Sequence, residues 1–135
     1  MYVLKTLIAG VLLTTSSVAL ASSSSTEARG ETRLTQILDG RTAGPPVDCI
    51  DLHSIDSTEV VDGTAIVYHD GNRLYVNRPT MGRESLDSDD ILLTRTWSPE
   101  LCSIDTVRLI DRGSRFERGF VGLGQFVPYV KPKRG

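Results

Sequence analysis

Apolar residues in the last two thirds of this chain come in short runs, each closed by glycine, proline, aspartate or asparagine. Residues 64–68 (Thr-Ala-Ile-Val-Tyr), 74–76, 91–94 and 106–110 are rich in β-branched and aromatic side chains, which suit a pleated surface. Residues 47–55, with Ile50, Leu52 and Ile55, and residues 120–127 read as two further strands. Asp70-Gly71 between two such runs predicts a hairpin with a loop of three or four residues. Gly122 and Gly124 predict a bulge or a corner inside the last strand. Six short strands would expose long edges if laid flat. The expected fold is therefore mainly β, a small six-stranded rolled sheet or partly open barrel.

One short N-terminal helix is expected before it. In residues 31–39, Leu34, Ile37 and Leu38 stand at i, i+3 and i+4 on one face, and Gly40 supplies a stop. So short a helix must pack on something to persist. Gly44-Pro45-Pro46 then forces an extended connection.

The first 21 residues carry Lys5, the apolar run from Leu7 to Leu13 and the small-x-small triplet Ala19-Leu20-Ala21. This is the pattern of a secretory signal peptide cut after Ala21. No cysteine follows the cut, so a lipid anchor is not expected. Residues 22–30 open with four serines and a threonine, have little to bury, and read as a flexible tether. Residues 31–130 form a single β-rich domain and 131–135 a basic tail. The reading places the protein in the periplasm or outside the cell, as a monomer. No apolar run is long enough for a lasting transmembrane span. A formal charge of −2 argues against a protein built to grip nucleic acid, so no specific nucleic-acid partner is expected.

Cys49 and Cys102 are the only two cysteines. In an exported chain an even count reads as a disulfide, and a redox role lacks any C-x-x-C spacing.

The remaining constellations are thin. Asp51 and His53 would share a strand face and could form a carboxylate–imidazole pair, yet no nucleophile stands out among Ser54, Ser57 and Ser103. His69 is expected at an exposed hairpin tip. The acidic stretch 84–90 lacks the spacing of a calcium loop and reads as a solvated turn, with a weak divalent site as the alternative. Trp97 reads as a cap on the core beside the disulfide. Gly119, Gly122 and Gly124 lack the order of a phosphate loop. No cofactor is called for.

Charge is segregated. Residues 47–70 hold six acids and no lysine or arginine, whereas residues 106–135 hold seven bases against Asp111 and Glu117. The favoured account is that neighbouring strands complement each other's charge. The functional alternative is a basic patch at Arg112, Arg115 and Arg118 that contacts an anionic surface or an envelope protein.

Cys49-Ile50, Val61-Asp62-Gly63-Thr64, Tyr75-Val76, Leu101-Cys102-Ser103-Ile104-Asp105 and Leu123-Gly124-Gln125-Phe126-Val127-Pro128-Tyr129 occur in an order that resembles one family. It is a group of small exported bacterial proteins carrying a domain of unknown function, and the resemblance covers about residues 47–129. Its typical members have four cysteines; this chain keeps the first and third, and the regions of Met81 and Phe120 stand where the others fall. Joint loss of two partners implies that Cys49 and Cys102 pair with each other. The resemblance implies export and a small fold and brings no activity, ligand or catalytic residue. The functional expectation is a non-enzymatic binding protein of the cell envelope, the alternative being a small exported hydrolase using Asp51 and His53.

Overall fold

The computed structural model describes residue 10 and residues 21–134. Apart from Gly10 and Ala21, the expected signal peptide lies outside the described residues.

Among the described residues, ten strands and one α-helix follow in order: α1 (Ala21–Ile37), β1 (Thr42–Ala43), β2 (Cys49–Asp51), β3 (Ser57–Val61), β4 (Ala65–Asp70), β5 (Arg73–Asn77), β6 (Ile91–Thr94), β7 (Glu100–Cys102), β8 (Thr106–Ile110), β9 (Glu117–Gly122) and β10 (Phe126–Val130). The fold is mainly β with one helix, as expected. The strands fall into three antiparallel sheets, none closed into a barrel: five strands in the order β1-β10-β5-β4-β3, three in the order β6-β8-β9, and the pair β2-β7.

The five-stranded sheet is the middle layer, because both of its faces are apolar. Along β4, Ala65 and Val67 belong to one core and Ile66 and Tyr68 to the other, so the two-residue period of a strand places them on opposite faces. All four are buried, which is why the sequence shows an unbroken apolar run there instead of an alternation. On one face Val61, Ala65, Val67, Leu74 and Val76 pack against Leu34 of α1, with Ile37, Leu38 and Tyr129 at the margin. On the other, Ile66, Tyr68 and Phe126 meet Val107, Leu109 and Val121 of the three-stranded sheet and Ile50 and Leu101 of the pair.

The helix differs from expectation at its start. Residues 22–30 are not a flexible tether but the first half of α1. Apolar burial is not what orders this segment. The segment is instead held by contacts distant in sequence: Glu27 pairs with Arg83 at 3.1 Å and, one residue beyond the segment, Glu31 pairs with Arg78. Gly30 is buried where the helix crosses the turn after β3; a Cβ there would meet the Thr64 hydroxyl at 1.8 Å and the Asp62 carbonyl at 2.7 Å. The expected stop is observed, with Gly40 at φ 71° in the left-handed region.

The β4–β5 hairpin is tighter than expected. Asp70 pairs with Arg73, so the loop is two residues, and Gly71 at φ 55° occupies the first central position as in a II′ turn. The glycine-broken last strand resolves into β9 and β10. Between them Leu123-Gly124-Gln125 carries the chain from the three-stranded sheet to the five-stranded one, the corner its glycines suggested. Buried Asn77 closes that corner, donating to the Gly124 carbonyl at 2.7 Å and accepting its N–H at 3.0 Å. A bulge occurs elsewhere: Leu109 pairs with Gly119 and Ile110 with Glu117, leaving Arg118 as the extra residue in β9.

Cys49 and Cys102 stand directly opposite each other in the β2–β7 pair and are disulfide-bonded. Tyr68 lies edge-on to Phe126, and its buried hydroxyl has no hydrogen-bond partner among the described residues. Burial alone pushes its phenol pKa well above the ordinary value. Tyr68→Phe removes an unsatisfied polar atom and should raise the unfolding free energy by about 1 kcal/mol, read as a higher urea midpoint at unchanged slope.

A second expected outcome concerns acid. Two hydrogen bonds from Arg78 hold the Glu31 carboxyl below its ordinary value of 4.5, against a smaller opposing effect of burial. A carboxylate with a depressed native pKa adds stability that is complete above its unfolded pKa and vanishes as pH falls through the native one. Wild type should therefore melt above Glu31→Gln near neutrality, by less than about 1 kcal/mol because the pair is half-exposed. The gap should close well below 4.5. Thermal melts of both proteins across that range check this.

Candidate functional site

Asp51 and His53 do come together, with Nδ1 of His53 3.3 Å from Oδ1 of Asp51. Strand alternation is not the cause. β2 ends at Asp51, whose carboxylate accepts the His53 backbone N–H at 2.9 Å and so caps the 3₁₀ turn Leu52–Ser54. Both side chains are exposed, and the neighbouring Ser54 hydroxyl donates to the Asp51 carbonyl and the Asp70 carboxylate. Ser103 is engaged with Asp48. The pair is a turn cap open to water.

His69 is not at a hairpin tip. It is half-buried within β4, with Nε2 3.7 Å from Glu59 of β3. Trp97 does not cap the core; it is fully exposed on the connection between β6 and β7, where Pro99 instead accepts a backbone hydrogen bond from Leu52.

The acidic stretch 84–90 does not converge on one point. Asp87 accepts the Asp89 N–H, Asp62 reaches in to accept the Ser88 N–H, and Asp90 is buried against Arg118. Among the described residues, the one grouping of three metal-donor atoms is Cys49, Glu100 and Cys102, and its two sulfurs are bonded to each other.

The three arginines of the expected basic patch have separate roles. Bulged Arg118 forms an ion pair with Asp90 and donates to the Ser85 carbonyl at 3.1 Å. Arg115, at φ 64°, sits in the turn before β9. Arg112 donates from Nε to the Asp89 carbonyl at 3.2 Å. Cross-strand complementation of the segregated charges is not observed either. Among the described residues, no ion pair joins 47–70 to 106–135; Glu59 pairs with Arg33 of α1, and Arg108 with Glu117 of its own hairpin.

Arg112 belongs to a different site. It lines a cleft of about 940 Å³ together with Arg29 and Arg33 of α1, residues 58–62 of β3 and its turn, and Ser88, Asp90, Ile91 and Leu92 at β6. That size is in the range of ligand-binding clefts. β3 and β6 are both outermost strands of their sheets, so two sheet edges border one space. The acids of the lining are engaged from within the protein: Glu59 by Arg33 and His69, Asp62 by the Ser88 N–H, Asp90 by Arg118. The arginines keep donors to spare. Each guanidinium has five N–H groups; Arg33 and Arg112 each show one bonded, and Arg29 has no ion pair among the described residues. Arg29 and Arg33 stand at i, i+4 on one helical face, a like-charge spacing that weakens a helix slightly. That spacing is the sequence signal of the site, and the serine-rich start of the helix obscures it.

No protein-family model, no curated protein and no solved structure matches the chain.

Proposed function

We propose that this is an exported, non-enzymatic binding protein of the cell envelope that holds an anionic partner in the cleft rimmed by Arg29, Arg33 and Arg112. The carrying observation is the spare donor capacity of that cleft: its carboxylates are all engaged within the protein, Arg29 has no ion pair among the described residues, and Arg33 and Arg112 each use one N–H and keep the others. The leader pattern and the disulfide support the compartment, since such bonds persist where thiols are oxidised. Membership of the small exported bacterial family suggested by the Leu101 to Asp105 segment is part of the same proposal. Both histidine–carboxylate pairs, His53 with Asp51 and His69 with Glu59, serve as a turn cap and a cross-strand contact, which favours binding over hydrolysis.

The test is binding of fluorescein-labelled dextran sulfate to the purified protein over a salt gradient. Attraction between exposed charges is screened over about 8 Å at physiological ionic strength, so affinity should fall steeply with salt. Arg29→Ala, Arg33→Ala and Arg112→Ala together should abolish binding, while His53→Ala leaves it unchanged. Equal retention by the triple variant would sink the proposal.

A further inference from the structure

The cleft is bordered by every residue from Thr58 to Asp62. A strand that offered only a face to a space would contribute alternate residues. Four successive strand residues, Thr58 to Val61, mean that β3 presents its main-chain edge there, and β6 contributes the adjacent Ile91 and Leu92 in the same way. The outer edge of an outermost strand carries N–H and C=O groups without strand partners.

The four edges of the two larger sheets are treated differently. On the side away from the cleft, β1 is only two residues long and runs into Gly44-Pro45-Pro46. β9 is bent by the bulge at Arg118, and its end is bridged by Met81 to Gly122. Short length, proline and bulges are the usual means of making an edge unable to accept another strand. β3 (Ser-Thr-Glu-Val-Val) and β6 (Ile-Leu-Leu-Thr) have none of them, and Glu59, the one charge in either, is already paired. The bare edges are the two that open on the cleft.

Resting on the anionic-partner reading, we infer that the occupant is an extended acidic peptide that adds to β3 as a further strand. Strand addition uses main-chain hydrogen bonds for affinity and alternate side chains for specificity. The two sides of such a strand would meet different chemistry here. Arg29 and Arg33 lie on the helix side of the five-stranded sheet, whereas Val60 and Leu92 both pack against the core on the opposite side. The matching segment alternates acidic and aliphatic residues, carboxylates toward the helix and aliphatic groups toward Val60 and Leu92. A sulfated or phosphorylated polysaccharide would satisfy the arginines and leave both edges unpaired.

The probe is a fluorescein-labelled hexapeptide of alternating valine and glutamate, blocked at both ends, measured beside dextran sulfate. Two N-methylated versions carry the methyl groups on the valines or on the glutamates, with charge and side chains unchanged. The parent should bind in the micromolar range. One of the two methylated frames should lose at least about tenfold, because only alternate amides face the acceptor strand. On binding, backbone amides within Ser57–Val61 that exchange freely should become protected. No binding of the parent peptide, or equal binding of both methylated frames, overturns strand addition. If dextran sulfate still binds through the arginines in that case, the anionic-partner reading survives alone; if it does not, both fall.

Discussion

Changing both Cys49 and Cys102 to alanine should lower the unfolding free energy by about 4 kcal/mol, the chain-entropy value for a loop of this length. The bridged residues are 53 apart in sequence, so the bond restricts half of the unfolded domain. Native stabilities of about 5–15 kcal/mol make this a large fraction of the total. The structure adds a local reason. β2 is three residues long and, among the described residues, its sole strand partner is β7. Ile50 and Leu101, one position inside the bridge, belong to the core shared with the two larger sheets. Without the bond, a pair of short strands must hold those side chains in place by packing alone. Urea titration of wild type and the double variant, with and without reductant, checks the expectation. The variant should show the lower midpoint regardless of reductant, and wild type should approach it when reduced. A steeper slope in the variant would report the more expanded unfolded chain. Coincident curves for oxidised wild type and variant would refute the estimate.

The elements read most directly from sequence are those whose residues need only neighbours in sequence or burial on a face. The run Ala65 to Tyr68 is apolar because β4 is covered on both sides, and Leu34, Ile37 and Leu38 mark the helix face because they fill one core. Gly40 and Gly71 occupy the positive φ values their positions suggested. What escaped depends on long-range partners. The polar stretch Ser57-Thr58-Glu59 shows little strand character alone and is a strand through its pairing with β4. Residues 25–29 are exposed, and the order of this half of the helix comes from Arg83, Thr64 and the turns that continue beyond it. The cleft was the least visible feature, since it is assembled from residues 26–33, 58–62, 88–92 and 112, segments that no local pattern connects. Its arginines are distinguishable from others only once each carboxylate's partner is known.

Arg118 shows how much that distinction matters, and its loss should have the second large effect. By sequence it stands with Arg112 and Arg115 as a surface base. In the fold it is the bulged residue of β9, and the bulge aims its guanidinium at Asp90, whose side chain is 3% exposed. Arg118→Leu leaves a buried carboxylate without its counter-charge and should lower stability by about 3–5 kcal/mol. Asp90→Leu should be milder, because the Arg118 side chain is 39% exposed and can turn its head to water. The double variant should cost much less than the sum of the two, since replacing a buried ion pair by apolar groups is often close to neutral. A double-mutant cycle by urea denaturation measures this directly. Additive losses would mean that the two side chains act independently, against the geometry of three hydrogen bonds from one guanidinium to Asp90 and Ser85. The cycle also separates structure from binding at the cleft, which Asp90 lines. Arg118 variants should lose anion binding only in step with their lost stability, and the Asp90/Arg118 double variant should recover both. Substitution of Arg29, Arg33 or Arg112, whose guanidinium groups hold no buried carboxylate, should weaken binding while the melting temperature stays within a few degrees of wild type.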